Sequence, residues 1–182
     1  MDFSHRNTHM LTMSITDRND LRAGLVETLK GFDAQFHIVA EIAPQRPRAA
    51  LEDALYQWAA RVDRLYLGRK WQASPRRMRG AVFFERRPYW HAHMLVAPPV
   101  GVHPVNFHLN VASLFRPAPC QNLRRSSPRP AAREGKMFIR RIGSGPSDLE
   151  KVARYVIKDV RWNSQDEDQW KFIELLSPRH HI

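Results

Sequence analysis

One cysteine, Cys120, stands in a chain of 182 residues. An internal disulfide framework and a multi-cysteine zinc site are both excluded, and a reducing cytoplasm is the simple setting. No apolar run approaches the ~18–20 residues that a membrane-spanning helix needs, and a mean hydropathy of -0.52 argues against an integral membrane protein. The first nine residues are polar and carry His5 and His9, so they lack the apolar core of a secretory signal. No internal repeat is present, nor a Gly-Lys-Ser/Thr phosphate-binding loop. Acidic residues are the minority: 18 Asp plus Glu face 29 Lys plus Arg, a net charge of +11 and a pI near 10.6. Such an excess favours a polyanionic partner, because each neutralised phosphate releases condensed counterions. Nucleic acid is the stronger expectation. An anionic membrane is the weaker one, since no basic amphipathic anchor stands out.

The length suits one domain with some decoration. Residues 1–33 read as an N-terminal extension, with a short strand at 10–15 and a helix capped by Asp17 or Asn19 that carries Leu21, Leu25, Val26 and Leu29. The main domain spans 34–177, followed by a tail at 178–182. Residues 36–42 alternate as a strand and end before Pro44 and Pro47. Leu51, Leu55, Trp58, Val62 and Leu65 form one helical stripe over 48–67, which Gly68 stops. A basic connector with Arg69, Lys70, Arg76 and Arg77 follows. Residues 81–86 and 90–96 read as a hairpin turning near Pro88. The stretch 98–135 holds seven of the 13 prolines together with Arg116, Arg124, Arg125, Arg129 and Arg133. It reads as a long Pro/Arg-rich loop with a helix near 105–115. A strand at 137–142 precedes a helix over 148–160, where Ser147 and Glu150 make a capping-box pattern. Residues 170–176 are a last strand or short helix. This order predicts an α+β fold: an antiparallel sheet with helices packed on one face, ferredoxin-like in plan.

His91 and His93 leave the same face of a strand, and two adjacent imidazoles can bind one metal ion. Glu85 lies across the Pro88 turn. In the right pairing register it joins them; a slip of one residue turns it away. Two His and one carboxylate make an open, three-ligand site of catalytic type. The N and O donors suit Mn²⁺ or Mg²⁺ on phosphate chemistry, with Zn²⁺ also able to bind. The plain alternatives are a surface His pair and a solvated Glu85 paired with Arg86 or Arg87.

On the later helix, Leu149, Val152, Ala153, Val156 and Val160 form the apolar stripe. Tyr155 sits at its flank, with Lys151 and Lys158 on the polar side. A phenol near cations and a metal ion is a candidate nucleophile, and Lys158 could steady a phosphate in the transition state. The alternative is a tyrosine that completes packing at the helix edge.

Phe83-Phe84-Glu85, His91-Ala92-His93 and Ala153-Arg154-Tyr155-Val156-Ile157-Lys158-Asp159 together resemble the motifs of the HUH endonuclease superfamily. The likeness is greatest to rolling-circle replication initiators of plasmids and filamentous-type phages, and covers about 34–162. It implies an RRM-like nuclease fold in which His91, His93 and Glu85 hold the metal, Tyr155 is the nucleophile and Lys158 its helper. The substrate implied is single-stranded DNA at an origin or hairpin, with a host helicase and polymerase as further partners. The cut would leave a 5′-phosphotyrosine. Arg69, Lys70, Arg76, Arg77, Arg124, Arg125, Arg129 and Lys151 are the expected DNA contacts, and Tyr89, Trp90 or Trp71 could stack on bases. Two features depart from the pattern. Residues 36–42 lack the Thr-Leu-Thr flavour of the first motif, for which Leu11-Thr12-Met13-Ser14 competes, and the helix carries one tyrosine. The other readings are a transposase or relaxase of the same chemistry, a metal hydrolase using activated water, and a non-catalytic basic binding domain.

Overall fold

A computed structural model describes residues 15–86, 88–117, 135–158 and 170–173. The elements in order are α1 (Ile15–Lys30), β1 (Phe36–Ile42), α2 (Arg48–Leu67), β2 (Arg79–Arg86), β3 (Trp90–Ala97), α3 (Pro104–Val111), β4 (Gly135–Arg141), α4 (Pro146–Ile157) and β5 (Trp170–Phe172). The five strands form one antiparallel sheet in the order β4-β1-β3-β2-β5. The expected α+β class with an antiparallel sheet holds. Among the described residues no helix is long and apolar enough to cross a membrane.

Alternation along β1 sorts its residues between two faces. Phe36, Ile38, Ala40 and Ile42 are buried and pack with Leu51, Leu55, Trp58 and Val62 of α2 and Phe107 and Val111 of α3. Burying each of the larger side chains contributes ~1.5–3 kcal/mol. The indole N–H of the fully buried Trp58 donates to the Val111 carbonyl at 2.9 Å and ties the two helices together. Leu65, expected to end the stripe, is instead 53% exposed.

The helices do not share one face, and this corrects the expected arrangement. α2 and α3 cover one side of the sheet. α1 and α4 cover part of the other, where Leu25, Val26 and Leu29 of α1 and Ala153, Val156 and Ile157 of α4 pack on Ala81, Phe83 and Leu95. β2 and β3 therefore have both faces covered, which is why 81–84 and 94–97 read as unbroken apolar runs. α1 shares this second cluster with the sheet. The strand expected at 10–15 lies outside the described residues, except Ile15, which opens α1.

α4 begins two residues earlier than its sequence signal. Pro146 occupies its first turn, and the cap is Gly145, whose N–H donates to the Asp148 carboxylate at 3.2 Å, in place of the expected Ser147–Glu150 pair. Gly80, at φ 153°, runs so close to β3 that a Cβ there would overlap the Leu95 carbonyl oxygen.

The strand register lines up three cross-strand rows on the face that α1 and α4 partly cover. One reads Lys136, Glu41, His91, Glu85. The next reads Phe138, Val39, His93, Phe83, Trp170. The third reads Arg140, His37, Leu95, Ala81, Phe172.

Candidate metal centre and nucleophile

Glu85 stands directly opposite His91 in the β2–β3 ladder. Side chains of directly paired residues share a face, so the register left open by the sequence is the one that joins the carboxylate to both imidazoles. One ligand atom from each of Glu85, His91 and His93 lies within 4.8 Å of the others. His91 Nε2 is 3.2 Å from Glu85 Oε2, and His93 Nε2 is 3.4 Å from the same oxygen.

The outer ring nitrogens are held as well. His91 Nδ1 lies 3.2 Å from the Tyr89 carbonyl oxygen. A carbonyl only accepts, so the tautomer that uses this contact carries its proton at Nδ1 and leaves the Nε2 lone pair facing the trio, as a metal ligand requires. His93 Nδ1 is 3.2 Å from His37 Nε2, and the two rings stack at 5.4 Å with planes 12° apart. Burial, then the neighbouring His93 and Arg140, lowers the His37 pKa from 6.5 to about 4. His37 is therefore uncharged at neutral pH and keeps a lone pair to offer His93. Both imidazoles are thus gripped at Nδ1 and converge through Nε2, the arrangement in which protein groups orient metal-binding histidines. The donor set of two nitrogens and one carboxylate fits a divalent ion.

Tyr155 sits on the flank of α4 and is 49% exposed. It meets the rings of His93 and His37 edge-on, at 5.8 and 6.0 Å between centroids. Lys158 places its ammonium over the Tyr155 ring, 4.0 Å from the centroid. The Arg22 guanidinium of α1 donates to the Lys158 carbonyl at 3.4 Å, so α1 braces the end of α4. The phenol, its lysine and the Glu85 trio thus occupy one side of the sheet. Lys151 ion-pairs with Asp148 at 3.8 Å on a largely exposed turn.

The basic connector is elsewhere. It precedes β2, and Arg79 at the start of that strand is six residues from Glu85, roughly 20 Å of extended chain. Arg77 binds the buried Asp63 at 3.0 Å and lies over the Trp71 ring at 4.8 Å. Asp63 also accepts from the Met78 N–H at 2.8 Å; burial, the largest influence, raises its pKa from 3.8 against these partners. The Arg76 guanidinium donates to the Val100 carbonyl at 2.7 Å. Each of these two arginines thus makes a hydrogen bond or ion pair within the fold. Arg69 and Lys70 are exposed on the turn after α2. Arg124, Arg125 and Arg129 lie outside the described residues.

Of the three expected stacking aromatics, Trp71 is buried. Trp90 packs against the α2 side of the sheet, with Arg48 5.9 Å from its ring centre. Tyr89 alone is open, half exposed in the hairpin turn. His37 escaped the sequence reading as a site residue, although it and Glu41 are the polar members of the outward set in an otherwise apolar strand. No protein-family model, curated protein or solved structure matches the chain.

Proposed function

We propose that this protein nicks and rejoins single-stranded DNA through a covalent bond between Tyr155 and the 5′ phosphate at the cut, initiating rolling-circle replication of a mobile element. The observation that carries this reading is the convergence of Glu85, His91 and His93 beside an exposed phenol on the same side of the sheet. The chain order supports it as well. β1-α2-β2-β3-α3-β4 forms a 4-1-3-2 antiparallel sheet with α2 and α3 on one face, the ferredoxin-like plan expected of an HUH nuclease, to which α1, α4 and β5 are added.

Glu85, His91 and His93 would hold the divalent ion, Mn²⁺ or Mg²⁺, which when bound polarises the scissile phosphate. His37 and the Tyr89 carbonyl fix the two imidazoles in the orientation that role needs. The Tyr155 oxygen attacks phosphorus and loses its proton to solvent. The bond from phosphorus to the 3′ oxygen breaks, and that oxygen takes up a proton as a free 3′-OH. Lys158, held over the phenol ring, supplies positive charge where the phosphate gathers negative charge. The phosphotyrosine ester conserves the energy of the broken bond, so the reverse attack by a 3′-OH rejoins DNA without a nucleotide cofactor.

The test is an origin-like oligonucleotide incubated with protein and Mn²⁺, then resolved on a denaturing gel. A covalent adduct is expected, absent in Tyr155→Phe while single-strand binding persists. An undiminished adduct in Tyr155→Phe overturns the assignment. A free 5′ phosphate with no adduct would instead mark a hydrolase that uses water.

A further inference from the structure

On the sheet face that carries the trio, α1 and α4 cover β2, β3 and β5, and Tyr155 of α4 reaches His37 of β1. Around Val39, Glu41 and β4 the face stays open among the described residues. Val39 is part-exposed, Glu41 is exposed, and Phe138 is 55% exposed. Lys136 and Arg140, two residues to either side of Phe138, are exposed on the same face. A phenylalanine left open to solvent in the middle of a strand forfeits burial that its neighbours Met137 and Ile139 obtain on the opposite face.

Phe138 also has a defined relation to the metal centre. Val39 pairs with Phe138 on one side and with His93 on the other. Phe138 therefore lies two strand spacings from His93, about 10 Å, in the same row and on the same face. A flat aromatic between two cations matches the recurring parts of a single-stranded nucleic-acid surface. The ring takes the π-face of an unpaired base, and the cations take the flanking phosphates. Duplex bases are stacked on each other and cannot use such a platform.

We infer that Phe138, with Lys136 and Arg140, forms a stacking platform for one unpaired nucleobase of a DNA strand, about 10 Å from the Glu85–His91–His93 centre. The platform deepens the nickase reading by placing the strand that Tyr155 would cut. Its occupant is single-stranded DNA, chosen over a protein partner by charge: two cations flank the ring against the single acid, Glu41, described on this strip, in a chain of net charge +11.

The experiment uses the full chain with divalent ions chelated, so that neither cleavage nor adduct formation enters. A fluorescein-labelled oligothymidine strand and a duplex of equal length are titrated and followed by anisotropy. Phe138→Ala should weaken single-strand binding about tenfold or more, Phe138→Trp should retain it, and duplex binding should change little. Photocrosslinking with a 5-iodouracil-substituted strand should label the tryptic peptide spanning residues 137–140. Unchanged Mn²⁺ affinity in Phe138→Ala shows that the sheet is intact. Wild-type single-strand affinity in Phe138→Ala overturns the platform. So do equal losses on single strand and duplex, or label confined to other peptides. A change of oligomeric state with DNA affinity untouched also overturns it, and would make this face a protein interface. Binding and crosslinking do not require chemistry. A platform that passes in a protein that forms no adduct refutes the nickase alone; an adduct formed without crosslinking at Phe138 refutes the platform alone.

Discussion

Replacing His37 by leucine isolates the group that holds a metal ligand from the ligand itself. The His37–His93 contact of 3.2 Å matters most when His93 Nε2 is given to a metal ion, because Nδ1 must then carry the ring proton and needs an acceptor. Without metal, the ring can keep its proton at Nε2 against Glu85, 3.4 Å away. The loss therefore falls on metal affinity more than on folding. A buried donor without a partner costs ~1–3 kcal/mol. Outer-sphere partners of ligating histidines contribute about 10–100-fold in affinity, or roughly 1.4–2.7 kcal/mol. The two scales agree, and His37→Leu should weaken Mn²⁺ or Zn²⁺ binding by a factor within that range. His37→Gln, whose side-chain carbonyl can accept from Nδ1, should recover part of it. Calorimetric titration, or competition with a chromogenic chelator, reads the constant. Urea unfolding of the metal-free protein should show little change, since leucine removes a polar ring that burial already keeps uncharged. Wild-type metal affinity in His37→Leu, within a factor of about two, would refute the reasoning, as would an equal loss in His37→Gln and His37→Leu.

Four further outcomes are expected. Glu85→Ala removes the carboxylate of the trio and should reduce metal affinity by more than the ~10–100-fold of an outer-sphere loss, with the far-ultraviolet circular dichroism preserved. Asp63→Ala strands Arg77 and the Met78 N–H; because Arg77 is 25% exposed, the cost should lie near ~2–3 kcal/mol, below that of breaking a fully buried pair, as read from denaturant midpoints. Burial raises the Asp63 pKa above its unfolded value of 3.8, so its contribution is complete in acid and declines as pH rises through the folded value. The stability deficit of Asp63→Asn should accordingly shrink from low pH toward neutrality. Gly80→Ala drives a methyl into the Leu95 carbonyl and should destabilise by ~2–4 kcal/mol in the same assay.

The parts of the fold legible in the sequence were those with a strong period or a strong stop. The stripe Leu51–Leu55–Trp58–Val62 and Gly68 gave α2 its place and end. The His91–His93 alternation put both rings on one face. Whether Glu85 faced them depended on a register that one residue of slippage would have reversed, and only the paired strands decide it. Which side of the sheet α4 covers is likewise invisible in its own pattern, because an amphipathic helix shows that it has an apolar face and not what that face meets. Charge counting told the net sign of the chain but not the location of its cations. Arg77 looks like its neighbours in sequence, yet the buried Asp63 fourteen positions earlier claims it. Phe138 hid in a strand whose apolar residues at 137, 138 and 139 do not reveal which side chain stays open.

All three groups of the proposed metal site ride on one hairpin, two of them flanking its turn at Glu85 and His91. A bound ion would act there as a clasp across the open tip of a ribbon, joining strands whose ladder ends with Arg86 and Trp90. Amide exchange in residues 84–92 should then slow on metal loading, and because Ala153, Val156 and Ile157 of α4 pack on Phe83 and Leu95 of the same hairpin, the slowing should extend to the helix that carries the tyrosine. The element that would grip the phosphate and the element that would cut it would then tighten together.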